Sequence, residues 1–138
     1  MRPPACGEHG RGVTLRCVLV DDDREFVEVA RRLLEPDGVE VVGVATTGMD
    51  AVVQVSELQP DVVLVDVHLG EENGLEVARA LLEERGSMAV ILISTYAAAE
   101  LRELAVNSDT AGWLQKGSLS STAIRSVLGR RPAGTDDY

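Results

Sequence analysis

The chain has 138 residues, 45% hydrophobic but only 3% aromatic, and a formal net charge of −10. That length supports one domain whose core is built from Val, Leu, Ile and Ala. The acidic surface argues against direct nucleic-acid binding. The apolar run Met88–Ile93 is too short to cross a bilayer, and residues 1–12 hold no apolar signal segment, so a cytoplasmic protein is expected.

Residues 1–14 mix Pro, Gly and charge without a period and read as a flexible arm. Cys6 in this arm and Cys17 in an apolar run do not suggest a structural disulfide. The first strand is Arg16–Val20, closed by Asp21-Asp22-Asp23. Phe26, Val29, Ala30 and Leu33 follow at i, i+3, i+4 and i+7, the apolar stripe of a helix that Pro36-Asp37-Gly38 stops. Val39–Ala45 is a second strand. Thr47-Gly48-Met49-Asp50 then opens a helix through a capping box with Asp in place of Glu, and Val52, Val55 and Leu58 line it.

The third strand, Val62–Asp66, is apolar until its last residue, as a strand buried on both faces should be. Leu75, Ala78, Leu81 and Leu82 line a third helix ending near Gly86, and Ala89–Ser94 is the fourth strand. Leu101, Leu104 and Ala105 suggest a fourth helix, Gly112–Gln115 a fifth strand, and Ile124, Val127 and Leu128 a fifth helix after a Ser-rich start. Residues 130–138 read as a flexible tail, which leaves one domain over 15–129. Five strand–helix alternations imply an α/β fold, a doubly wound five-stranded parallel sheet covered by five helices in a three-layer sandwich.

In such a sheet the carboxyl ends of all strands share one edge, where α/β folds build their sites. Asp21, Asp22, Asp66, Ser94 and Lys116 all fall at such ends. Carboxylates about 5 Å apart repel by roughly 3 kcal/mol per pair at an effective dielectric near 20. A hard divalent cation, Mg²⁺ above all, relieves that repulsion, and so does an ammonium. Lys116 is the single lysine among 13 Lys and Arg residues. A compact ammonium differs from guanidinium in shape and hydration, which marks Lys116 as a site residue. An Asp beside Mg²⁺ can attack phosphorus, with cation and ammonium clamping the phosphoryl oxygens and the Ser94 hydroxyl donating to one of them.

Val18-Leu19-Val20-Asp21-Asp22-Asp23, Val62-Val63-Leu64-Val65-Asp66, Gly74, Ile91-Leu92-Ile93-Ser94 and Gly112-Trp113-Leu114-Gln115-Lys116 resemble, in this order, the receiver domain of two-component response regulators. The resemblance runs from about Arg16 to about Leu128. It implies a flavodoxin-like sheet of order 2-1-3-4-5, with Asp66 as phosphoacceptor. It also implies Mg²⁺ on Asp22, Asp66 and the His68 main-chain carbonyl, with Asp21 orienting the ion. Ser94 follows the phosphoryl group and Lys116 pairs with it. Trp113 stands at the switchable aromatic position.

The implied partners are a sensor histidine kinase, which donates from phosphohistidine, and a second copy or an effector. The second copy or effector meets the face of the fourth helix, fifth strand and fifth helix. Such a domain is a switch with only self-phosphorylation and autophosphatase chemistry, either stand-alone or the receiver part of a transcriptional regulator. Gly117, where many relatives have Pro, and Gly70, likewise, are departures that loosen the loops.

Some residues read more plainly. Asp23 is a first-turn helix acid, Glu71-Glu72 a solvated loop, and His9 incidental. The side chains of His68 and Tyr96 lie where they could tune attack by water. Two other classes stay open: an aspartate-nucleophile phosphatase, against which His68 stands where a second Asp is usual, and a contact-only module, which usually lacks an acid or the lysine.

Overall fold

The computed structural model describes residues 14–84, 87–95, 103 and 109–129. Five parallel strands form the central sheet: β1 (Leu15–Val20), β2 (Val39–Ala45), β3 (Val62–Asp66), β4 (Ala89–Ser94) and β5 (Gly112–Gln115), in the order β2-β1-β3-β4-β5. The helices α1 (Arg24–Leu34), α2 (Gly48–Leu58), α3 (Gly74–Glu84) and α4 (Ser121–Gly129) complete the sandwich. These are four helices among the described residues. The fifth expected one, around Leu101, Leu104 and Ala105, lies outside them. No described helix is long and apolar enough to cross a membrane.

The strands are apolar throughout because both faces of the sheet are covered. Val18, Val20, Val63, Val65, Val90 and Leu92 face α2 and α3, meeting Ala51, Val55, Val77 and Leu81. The alternate residues Cys17, Leu19, Val62, Leu64, Ile91 and Ile93 face α1 and α4, meeting Ala30, Leu34, Ile124 and Val127. Each fully buried Val, Leu or Ile contributes about 1.5–3 kcal/mol, so the core favours this two-sided arrangement over any with one face wet. Burial also pushes the Cys17 thiol up to about 12, which leaves it unreactive.

One helix face is turned relative to expectation. On α1 the buried stripe is Val27, Ala30 and Leu34, while Val29 and Leu33 are 48% and 44% exposed. Both stripes satisfy the helical period, being one residue apart, so periodicity alone does not choose between them. Phe26, half-buried, packs against the margin of this core and also meets Lys116 at the site edge of the sheet.

The helix starts follow side-chain chemistry. Asp23 caps α1: its Oδ1 accepts from Glu25 N at 3.1 Å and Phe26 N at 3.2 Å. Thr47 caps α2 by accepting from Asp50 N at 3.1 Å. The Asp50 carboxylate instead accepts from Gln54 Nε2 at 3.2 Å. Asp23→Ala removes two bonds at an exposed cap and is expected to lower stability by about 1 kcal/mol in a denaturant titration, with an unchanged slope.

Candidate functional site: an acidic edge with one ammonium

Three strand ends meet at the carboxyl edge. β1 delivers Asp21 and Asp22, β3 delivers Asp66, and β5 delivers Lys116, which opens a single 3-10 turn over Lys116–Ser118. Asp21, Asp22 and Asp66 offer carboxylate oxygens within 4.8 Å of one another. Asp21 and Asp66 are buried, at 1% and 6% exposure, whereas Asp22 is exposed.

The Lys116 ammonium lies 2.7 Å from Asp21 Oδ2 and 3.2 Å from Asp66 Oδ2. The second contact is also a hydrogen bond. The first is the closer ion pair, and no other donor among the described residues reaches Asp21 Oδ2. A buried carboxylate oxygen with an unused lone pair, beside two further carboxylates, fits a hard cation that takes oxygen ligands. The other oxygens of Asp21 and Asp66 are already held, Asp66 Oδ2 by Lys116. Asp21 Oδ1 accepts from Asp23 N at 2.9 Å, and Asp66 Oδ1 accepts from His68 N at 3.0 Å.

Burial raises the Asp21 carboxyl above its ordinary value, helped by the Asp66 charge and opposed by the Lys116 ammonium. Burial works to lower the Lys116 ammonium, but Asp21 and Asp66 outweigh it and the net direction is upward. The raised value keeps Lys116 charged. Its ion-pair contribution to stability is fully present below the unfolded lysine value and is lost only as pH climbs through the higher folded one.

The loop after Asp66 is bound to the site from several sides. Val67 N donates to Ile93 O at 2.9 Å, and Gly74 N donates to Val67 O at 2.8 Å. A two-residue antiparallel ribbon pairs His68–Leu69 with Glu72–Asn73. Gly70, between them, has φ +57°, the left-handed region that costs a glycine least, and a Cβ there would lie 3.3 Å from Asp22 Oδ2. Gly70 is thus a backbone requirement of this turn and corrects the expectation that it merely loosens the loop. Proline, fixed near φ −65°, could not take this conformation.

The structure places Asp21, Asp22, Asp66, Ser94, Lys116 and His68 at or just beyond the carboxyl ends of their strands. Asp21, Asp22, Asp66 and Lys116 are drawn together by the distances above. Ser94 closes β4, buried, one residue beyond Ile93, which pairs in register with Asp66. His68 is exposed and contributes its backbone N–H. Asp23 is the N-cap of α1, one residue before the first turn expected of it from the sequence. Trp113 is half-buried against the α2–α3 side of the core. Tyr96 lies outside the described residues.

Sequence reasoning missed three contacts. Phe26 places its ring centroid 4.5 Å from Lys116 Nζ. Exposed Glu72 accepts from Gly48 N at 3.0 Å, tying the Asp66 loop to the start of α2. Gly74 touches the Asp66 main chain so closely that a Cβ would meet Asp66 O at 2.0 Å. An aromatic three residues past an N-cap was the one available hint for Phe26, and helical periodicity claimed it first.

The sequence matches the response regulator receiver domain over residues 17–127. It is 40% identical over 99 residues to protein-glutamate methylesterase/protein-glutamine glutaminase 5 of Myxococcus xanthus, covering 71% of this chain and 28% of that protein. It is 34% identical over 112 residues to the response regulator GacA of Pseudomonas aeruginosa, covering 80% of this chain and 52% of that one. The chain therefore spans about half or less of the length of these curated relatives. A solved LuxR-family two-component response regulator from Aurantimonas superposes with a TM-score of 0.74 at 27% identity, covering 86% of this chain and 88% of that one.

Proposed function

The chain belongs to the response regulator receiver domain family of two-component signalling, and from that premise we propose that Asp66 accepts a phosphoryl group from a histidine kinase and that Lys116, Ser94 and the acidic cluster make the transfer possible. The observation that carries the reading is a nearly buried Asp66 whose two oxygens are each held by a donor, Lys116 Nζ on one and His68 N on the other. Those two donors fix the orientation of the carboxylate, which is the positioning that phosphoryl transfer needs.

Receiver domains bind Mg²⁺ at such an acidic pocket, and the residues here fit it: Asp21, Asp22 and Asp66, with the His68 main-chain carbonyl as a further ligand. When bound, the ion supplies charge neutralisation for the phosphoryl oxygens. In the transfer an Asp66 carboxylate oxygen forms a bond to phosphorus. The bond from phosphorus to the imidazole nitrogen of phosphohistidine breaks, and its electron pair stays on that nitrogen. The product is an acyl phosphate, whose added charge faces the Lys116 ammonium. The Ser94 hydroxyl donates to a phosphoryl oxygen, and Trp113 follows Ser94. Attack by water returns the carboxylate and releases phosphate, with the exposed His68 side chain tuning that step.

The output is switched through the face of the predicted fourth helix, β5 and α4, toward a second copy or an effector in the cytoplasm. The resemblance to the transcriptional regulatory protein DesR of Bacillus subtilis supports the receiver part of a transcriptional regulator. The domain's own chemistry stops at self-phosphorylation and its reversal.

Incubation with acetyl phosphate and Mg²⁺ should add one phosphoryl group by intact mass. Chelation by EDTA should abolish the gain, because the crowded carboxylates would otherwise face the incoming phosphoryl oxygens unneutralised. Undiminished labelling in EDTA would remove the metal from the account.

A further inference from the structure

We propose that Phe26 is a positioning residue for Lys116, holding its ammonium over the face of the ring so that the charge meets the phosphoryl group at Asp66. The inference rests on the phosphoacceptor reading and extends it to a residue on α1.

A closed circuit of contacts supports it. Asp21 Oδ1 accepts from Asp23 N at 2.9 Å, and Asp23 Oδ1 accepts from Phe26 N at 3.2 Å. The Phe26 ring centroid is 4.5 Å from Lys116 Nζ, and Lys116 Nζ is 2.7 Å from Asp21 Oδ2. The ring is therefore placed by the same acidic loop that the ammonium neutralises. A ring face attracts a cation through its quadrupole, more strongly where water is largely excluded, as at this ammonium with 10% side-chain exposure. It offers no lone pair, so it does not draw an N–H away from a phosphoryl oxygen as a third carboxylate would. The turn of α1 is the second observation. Val29 and Leu33 stay exposed while Phe26 is half-buried, packed against the margin of the core with its ring beside Lys116, so the core itself steadies the ring that meets the ammonium.

Phe26 is the chain's single phenylalanine and Lys116 its single lysine, so each gives one set of NMR signals of its residue type. In wild-type protein the Lys116 Cε protons should be displaced upfield by the ring and show cross-relaxation with the Phe26 ring protons. Phe26→Leu should return the Cε protons to ordinary lysine values. In labelling with acetyl phosphate at saturating Mg²⁺, Phe26→Leu should slow the rate about fivefold, and Phe26→Tyr, which keeps the π face, should stay near wild type. Thermal unfolding of each variant separates this effect from loss of fold.

No ring-induced displacement in wild type overturns the contact. A displacement with wild-type labelling by Phe26→Leu, or equal slowing by Phe26→Leu and Phe26→Tyr, overturns the positioning role. If wild type shows the displacement yet takes no phosphoryl group, the phosphoacceptor reading fails and takes the role with it, while the contact stands.

Discussion

Asp66→Asn should reduce labelling by acetyl phosphate to background while the protein stays folded. The amide keeps an oxygen able to accept from His68 N, now bonded to Asp66 Oδ1 at 3.0 Å, so the loop retains its tether. It removes the anionic nucleophile and one of the two carboxylates that meet Lys116. A neutral amide oxygen is a far weaker nucleophile toward phosphorus, so the loss should be complete on the timescale of wild-type labelling. Circular dichroism should be unchanged. Labelling at the wild-type rate would place the acceptor elsewhere.

Gly74→Ala should be among the most damaging single-methyl changes in the described chain. Its Cβ would lie 2.0 Å from Asp66 O and 2.7 Å from Val67 Cα. Both are backbone atoms and cannot rotate away, so α3 must move off the Asp66 loop or the loop must move with it. The overpacking should cost about 3 kcal/mol or more in a denaturant titration. Labelling should fall as well, because the displaced peptide joins Asp66 to Val67, the latter tethered to Ile93 O. Gly117→Ala is the control: a Cβ there meets nothing within 4 Å, and stability should stay within about 0.5 kcal/mol. Equal stability of Gly74→Ala and wild type would show that the close approach has slack.

The same two residues show what a sequence can carry. Asp66 was legible because an apolar run ended in an acid, and β3 was expected at Val62–Asp66, where it lies. The parallel order followed from alternation together with family resemblance, since both sheet faces had to be covered. Gly74 matched the family pattern, but nothing in the sequence could say that its missing Cβ makes room for the Asp66 carbonyl. Such contacts come from how a helix start folds back on a strand end.

Gly70 was misread for a related reason. A positive φ is a property of one turn, and a glycine letter does not separate need from tolerance. Val29 and Leu33 were claimed for the core because two apolar stripes on α1 overlap, and only the packed helix chooses Val27, Ala30 and Leu34, with Phe26 at the margin. Electrostatics proved more legible than packing. The lone lysine was singled out by composition, and it lies against the two buried acids.

The most direct test is chemical. Wild-type protein labelled with acetyl phosphate and Mg²⁺ is reduced with borohydride, which converts an acyl phosphate on aspartate to homoserine, and peptide mass spectrometry then finds the altered residue. The account predicts homoserine at position 66 and nowhere else. Homoserine at Asp21, Asp22 or another carboxylate, or a phosphoryl group resistant to borohydride, would contradict it.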